Sequence, residues 1–96
     1  MKEINLSQYG PIISSKTIGA EIYNLIKVEL LTENQVIVNL EKVKSMATFC
    51  AKQIFGQLYI ELGSEQFFDR IAFKGADDDL KTIIKIGIQH ALEDKE

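Results

Sequence analysis

The chain has 96 residues, of which 46% are hydrophobic and 26% are charged, and its formal net charge is -3. This length predicts a single domain over residues 1–96 with one hydrophobic core. The composition excludes an intrinsically disordered chain, and the acidic balance disfavours nucleic acid and anionic membrane surfaces as partners.

The cysteine content and the first residues favour a cytoplasmic location. Cys50 is the single cysteine, so no disulfide can form within the chain, which suits a reducing compartment. The first ten residues lack the apolar stretch of a signal peptide. No apolar run approaches the ~18 residues that a membrane-spanning helix needs. We therefore expect a cytoplasmic protein without a membrane segment.

The first half of the chain predicts two short strands, a helix and a buried strand. Residues 3–6 alternate between polar and apolar side chains, as in a strand. The chain then continues extended past a Gly-Pro break that is typical of a hairpin or a bend. Apolar residues then recur at helical spacing from residue 16 to about residue 30, with Ser14 or Ser15 available as the N-cap. The run "QVIVNL" is apolar on both faces, which indicates a strand in the middle of a sheet.

The second half predicts two further helices and one strand. Residues 47–62 carry apolar side chains at a spacing of four, and Gly63 is placed to end this helix. Gly56 lies inside it, which indicates either close packing or a weak helix at that point. "SEQFF" is interpreted as an irregular or single-turn segment, and "RIAFKG" as a strand. An uninterrupted apolar stripe after "ADDD" predicts the last helix.

These elements predict an α/β fold with the order β-β-α-β-α-β-α. Strands that are joined through helices imply right-handed crossovers and a largely parallel or mixed sheet. Our prediction is a small mixed sheet with three helices packed on it.

Three features that resemble a metal site or a nucleophile have structural explanations. Asp77, Asp78 and Asp79 are consecutive and cannot easily converge on one ion, whereas they suit the cap and the dipole of the last helix. His90 is the sole histidine and is predicted to lie at the surface. Cys50 falls in an apolar row and is predicted to be a small buried hydrophobe. We therefore predict no metal site and no cofactor.

The start of the first helix is the candidate anion site. Ser14, Ser15 and Lys16 could offer free amides and an ammonium group to an anion, although every helix start has this geometry. They support an alternative function, a small nucleotide-binding or anion-binding protein or enzyme. The sequence contains no Gly-rich phosphate loop and no recognisable pair for general acid and base catalysis. We therefore expect that the chain is not an enzyme.

A turn with two hydroxyl side chains connects the buried strand to the second helix. Ser45 and Thr48 lie in this turn, where an added phosphate would interact favourably with the amino end of the helix and change the surface charge by about -2. A hydroxyl at this position is equally typical of a plain N-cap. Both interpretations remain open at this point.

Most of the chain resembles a known family. The runs "YGPIISSKTIGAEI", "QVIVNLEKV" and "VKSMATFCAKQIFGQLYIELG" resemble the STAS-like family of small bacterial and phage proteins of unknown function. Its pattern is a glycine, a Ser-Lys or Ser-Arg pair, a buried strand, Val-x-Ser-hydrophobic, and a helix that ends in Phe-Gly-x-Leu. The matching residues are Gly10, Ser15, Lys16, Val43, Ser45, Met46, Phe55, Gly56 and Leu58.

That family is similar in turn to the STAS domains of anti-sigma-factor antagonists, which are non-enzymatic modules that bind a histidine-kinase-like ATPase and are switched by phosphorylation. Their Asp-Ser-Ser-Gly-type switch falls here on Ala47, Thr48, Phe49 and Cys50. The aspartate is absent, Phe49 stands at the usual phosphoacceptor position, and Thr48 is the remaining hydroxyl. On the solvent side of the first turn, Phe49 would be an exposed aromatic of the kind that often anchors interfaces. Helical spacing favours the alternative, a buried position beside Cys50.

The resemblance implies a regulatory module that binds another protein, such as an ATPase or a kinase-like regulator. Its docking face, which is also the candidate phosphorylation site, would carry Ser45, Thr48 and Lys52. A homodimer that pairs through an exposed sheet edge is a further alternative.

Overall fold

The computed structural model describes residues 2–95, and within them it contains five strands and four helices. The strands are β1 Lys2–Asn5, β2 Ile12–Ile13, β3 Val36–Asn39, β4 Ser45–Met46 and β5 Ile71–Lys74. The helices are α1 Lys16–Leu30, α2 over residues 48–62, α3 Ser64–Arg70 and α4 Asp78–Lys95. None of these helices is both long enough and apolar enough to cross a membrane.

The strands form two small sheets rather than one mixed sheet. β3 lies between β1 and β5, which confirms the central position predicted for "QVIVNL". β2 pairs with β4 in a separate two-stranded sheet. Every strand pair in the described residues is parallel, so the expected mixed sheet is wrong. The physical reason is that a helix lies in each connection between paired strands, which returns the chain in the same direction.

Of the two alternatives for the Gly-Pro break, the bend is correct and the hairpin is wrong. β1 and β2 do not pair, because a 3-10 turn at Leu6–Tyr9 and Gly10 with a φ of 105° redirect the chain between them. β2 joins β4 instead, with Ile12 opposite Ser45 and Ile13 opposite Met46. The β4 strand was not predicted, and two residues are too short to show an alternating pattern.

The segment predicted as irregular is the helix α3, which gives four helices rather than three. Its Phe67 is fully buried, with its ring centre 5.4 Å from that of Tyr59 and 6.2 Å from that of Phe73. Tertiary packing of this ring stabilises a helix that is too short to be stable by itself. Gly63 has a φ of 83° between α2 and α3, which confirms that α2 ends there.

Two predicted helix caps are confirmed. Ser15 is the N-cap of α1, and its hydroxyl oxygen accepts a hydrogen bond from the backbone N–H of Ile18. Asp77 precedes α4, and its carboxylate accepts a 2.8 Å hydrogen bond from the N–H of Leu80. Asp78 and Asp79 follow in the first turn, where the helix dipole favours negative charge.

Close backbone packing joins α2 to α4. A Cβ atom added at Gly56 would lie 2.7 Å from the Cβ of Ala91, and one added at Gly87 would lie 2.6 Å from the backbone nitrogen of Lys52. The middle of α2, Lys52–Gly56, is π-helical at this contact. Of the two alternatives for Gly56, close packing is therefore correct. This contact also brings the last turn of α4 next to Lys52.

Candidate functional site

The amino ends of α1 and α2 lie side by side. Their preceding strands are paired in parallel, and the N–H of Ala47 donates a 2.8 Å hydrogen bond to the carbonyl of Ile13. The side-chain amide of Gln53 also donates to the carbonyl of Lys16 at 3.0 Å. The two segments predicted as separate sites, residues 14–16 and residues 45–52, are therefore neighbours in the fold.

A groove of about 590 Å³ opens beside these helix starts. We call it the amino-end groove. Its lining includes Lys16 of α1, Phe49, Lys52, Gln53 and Gln57 of α2, and Asp94 of α4.

Phe49 lines this groove together with the apolar residues Ile60 and Ala91, and its position corrects our expectation. The side chain is 46% exposed rather than buried. The buried side of α2 begins one residue later, with Cys50, Ala51 and Ile54 fully buried. Helical periodicity places Phe49 with Gln53 on the other side, because they are four residues apart. The sequence therefore puts a half-exposed aromatic ring in the first turn of α2.

The charges around the groove are mainly positive. Lys16 is exposed and forms no ion pair with the residues that the structure describes. Lys52 forms an ion pair with the carboxylate of Asp94. The hydrogen bond from Lys52 holds the pKa of Asp94 below its usual value. The amino ends of α1 and α2 add partial positive charge at the same edge.

None of the predicted hydroxyl residues lines the groove, and none of them caps α2. The N-cap residue of α2 is Ala47, which makes no side-chain cap hydrogen bond, so the plain N-cap interpretation of the turn is wrong. Ser45 is exposed in β4, and Thr48 is half-buried at the first position of α2. Ser14 is exposed immediately before α1.

Of the predicted site residues, the structure brings Lys16 and Lys52 into the groove. Sequence reasoning missed the groove positions of Phe49, Gln57 and Asp94. The spacing of residues 49, 53 and 57 could have indicated a shared side of α2, because helical neighbours recur every four residues. No sequence signal places Asp94 beside Lys52, since that contact depends on the packing of α4.

Cys50 and His90 lie where the sequence predicted them. Cys50 is fully buried, its thiol donates to the carbonyl of Ser15 at 3.5 Å, and burial raises its pKa. His90 is exposed on α4. In residues 2–95 no group of three His, Cys, Asp or Glu side chains is placed to hold a metal ion.

A second groove, of about 420 Å³, lies at the opposite ends of the same helices. We call it the carboxyl-end groove, and its lining includes Lys27, Leu31, Leu58, Glu61, Leu62 and Arg70. Glu61 accepts a 2.7 Å hydrogen bond from the hydroxyl of Tyr23 and lies 3.4 Å from the ammonium nitrogen of Lys27. Its charged groups are thus already engaged within the molecule.

Arg70 has a structural role in the carboxyl-end groove. Its guanidinium donates hydrogen bonds to the carbonyls of Leu30 at 2.6 Å, Glu33 at 3.1 Å and Asn34 at 3.3 Å. These carbonyls lie at and just beyond the end of α1, where backbone acceptors have no partner within the helix. Arg70 therefore completes α1 and fixes α3 against it.

Comparison with models of protein families gives the family of this chain. A model described as a STAS-like domain of unknown function matches residues 19–81, which is well over half of the chain. The chain belongs to this STAS-like family. Comparisons with curated proteins and with solved structures found no match. The matched region of this STAS-like domain contains Phe49 and Lys52, whereas Lys16 and Asp94 lie outside it.

Proposed function

We propose that this STAS-like domain is a non-enzymatic regulatory module that binds another protein through the amino-end groove. The observation that carries the proposal is the half-exposed ring of Phe49 in the groove. Aromatic side chains that are seated in a surface depression are typical anchors of protein interfaces. An exposed phenylalanine also gains free energy when a partner removes it from water.

The partner that we favour is a histidine-kinase-like ATPase. This expectation comes from the resemblance to STAS domains of anti-sigma-factor antagonists, whose regulatory site lies at the start of the helix after the buried strand. The order of elements supports this expectation, because α2 is the first helix after β3 and its residues Phe49 and Lys52 line the amino-end groove. Thr48 precedes Phe49 in the chain, and its phosphorylation would add negative charge next to a residue that lines the groove.

The chemistry of the groove supports binding rather than catalysis. Its polar lining consists of Lys16, the Lys52–Asp94 ion pair, and the neutral amides of Gln53 and Gln57. Acid and base catalysis needs a positioned pair of titrating groups near the substrate, and an exposed ion pair does not supply one. Thermal shift with a nucleotide panel tests the enzyme alternative, because a ligand at 100 times its Kd adds about 2.7 kcal/mol of stability.

Affinity capture from the native host tests the proposed function. The bait is the full chain with a tag, in three forms: wild type, Phe49→Asp, and Phe68→Asp as the matched control. Phe68 is also exposed, but it lies on α3, away from the amino-end groove. We expect at least a tenfold loss of the partner with Phe49→Asp and normal recovery with Phe68→Asp, measured by quantitative mass spectrometry. The Kd of the purified pair then follows by calorimetry. Equal recovery with all three baits would contradict the proposal.

A further inference from the structure

The Lys52–Asp94 ion pair indicates which chemistry the amino-end groove accepts. Asp94 is on the last turn of α4, and its carboxylate binds Lys52 inside the groove. It is the acidic member of a lining that also contains two lysines. A carboxylate of this chain therefore already occupies the place where a carboxylate of a partner would bind.

We infer that the amino-end groove binds a partner segment that is both acidic and apolar, and that a carboxylate of this segment replaces Asp94 on Lys52. The inference rests on the proposed function, because it specifies the chemistry of the segment that the groove takes. It also makes the end of α4 an internal competitor of the partner.

Charge complementarity supports an acidic partner. The ammonium group of Lys16 has no ion pair within residues 2–95, although it lines the groove. The amino ends of two neighbouring helices direct partial positive charge toward the same edge. A basic segment would meet this field unfavourably, and like charges across an interface select against a partner.

The exposure of the ion pair makes the exchange feasible. The side chains of Lys52 and Asp94 are 38% and 65% exposed, so water and salt already weaken their attraction. A partner carboxylate that forms the same contact loses little by displacing Asp94. The apolar contact with Phe49 then supplies the additional free energy of binding.

The spacing of the anchors sets the arrangement of the partner segment. Phe49 and Lys52 are three residues apart on α2, which places their Cβ atoms about 5–6 Å apart on one side of a helix. The partner must therefore present an apolar side chain and a carboxylate at a similar separation. Lys16 on α1 gives a second carboxylate a binding position on the other wall.

Selection from a random peptide library tests the inference with a defined probe. The full chain is immobilised, and peptides that also bind the Phe49→Asp variant are removed. We expect the retained peptides to be enriched in Asp and Glu together with aromatic or aliphatic residues. Their affinity should fall as the salt concentration rises, because screening weakens exposed charge pairs.

Two substitutions of opposite sign then separate competition from a structural role. Asp94→Asn should tighten binding of a selected peptide by about two- to fivefold, because a weak competing contact is removed. Lys52→Gln should weaken binding by a similar factor. Glu93→Gln, which removes the same charge from the neighbouring exposed residue, is the control and should leave the Kd unchanged. Fluorescence polarisation gives each Kd.

The outcomes distinguish this inference from the proposed function. Retained peptides that are neutral or basic, or an Asp94→Asn variant that binds no more tightly than wild type, would overturn the inference while the groove remains a docking site. A library that yields no peptide dependent on Phe49 would overturn both.

Discussion

The two grooves of this domain lie at opposite ends of the same pair of helices and differ in how their charges are used. In the carboxyl-end groove, Arg70 binds carbonyls at the end of α1, and Glu61 binds both Tyr23 and Lys27. In the amino-end groove, Lys16 forms no ion pair with described residues. The first arrangement stabilises the fold, and the second leaves charge available for another molecule.

The difference shows how a structural site can be told from a binding site in one small domain. Both grooves expose an apolar side chain, Leu31 at 80% in one and Phe49 at 46% in the other. Exposure of an apolar residue alone therefore does not select between them. The available positive charge beside Phe49 is the property that distinguishes the amino-end groove.

The largest expected effect is a difference in stability between substitutions of two phenylalanines of α2. Phe55→Ala should lower the free energy of unfolding by about 3–5 kcal/mol, because its ring is fully buried and its centre lies 5.1 Å from that of Phe73. Phe49→Ala should lower it by about 1 kcal/mol or less, since half of its ring is already exposed. Urea unfolding followed by circular dichroism measures both. Equal losses would show that Phe49 is a core residue and would remove the contrast between the grooves.

Removing one cation from each groove compares their charges directly. Arg70→Met should lower the free energy of unfolding by about 1.5–3 kcal/mol, because it leaves carbonyls of Leu30 and Glu33 without their charged donor. Lys52→Met removes a solvent-exposed ion pair and should change the free energy of unfolding by about 1 kcal/mol or less. Urea unfolding again gives the values. If Lys52→Met destabilised the domain as much as Arg70→Met, the Lys52–Asp94 pair would be structural.

The contact that places α4 at the amino-end groove can be broken at Gly87. Gly87→Ala should lower the free energy of unfolding by about 1–3 kcal/mol, because the new Cβ atom would lie 2.6 Å from the backbone nitrogen of Lys52. Without this contact the same change would stabilise a helix by about 0.5–1 kcal/mol. The sign of the change in stability therefore shows whether Gly87 is closely packed against α2. Thermal unfolding measures it, with Gln89→Ala at an exposed position of α4 as the control. An increase in stability would contradict the close packing.

The smallest expected effect is the titration of Asp94. Its folded pKa is lowered by the hydrogen bond from Lys52, so the small stabilisation is present above the pKa of the unfolded chain and is lost as the pH falls through the folded pKa. NMR titration of the side-chain carboxyl carbon measures this value. Lys52→Gln should raise the pKa of Asp94, and Lys85→Gln on the exposed part of α4 should not. An ordinary pKa that neither substitution changes would show that the ion pair is absent in solution.

The long periodic elements of the fold could be predicted from the sequence. The apolar spacing of α1 and α4, the doubly apolar β3 and the glycine that ends α2 each follow from local chemistry. The strand β4 could not be predicted, because two residues are too few to show the alternation of apolar and polar side chains that marks a strand. They form a strand only by pairing with β2. The helix α3 depends on burial of Phe67 by distant residues, which a local pattern does not encode.

The candidate site was predictable only in part. Lys16 was found because helix starts have a recognisable chemistry, and Lys52 because the family resemblance implied a docking face at the start of the second helix. Both line the groove. Phe49 was predicted to be buried because its neighbour Cys50 lies in the apolar row of the helix. Adjacent residues of a helix point about 100° apart, and here Cys50 is buried whereas Phe49 is exposed. Asp94 reaches the groove through the close contact of α4 with α2, which depends on tertiary packing.

NMR mapping of the complex tests the central claim most directly. Amide shifts of the isotope-labelled full chain are followed while the captured partner is added. The amino-end groove should respond, with the largest changes at Lys16, Phe49 and Lys52, whereas Lys27 and Leu31 of the carboxyl-end groove should remain unchanged. The largest changes at the carboxyl-end groove, or none at the amino-end groove, would contradict the assignment of the docking surface.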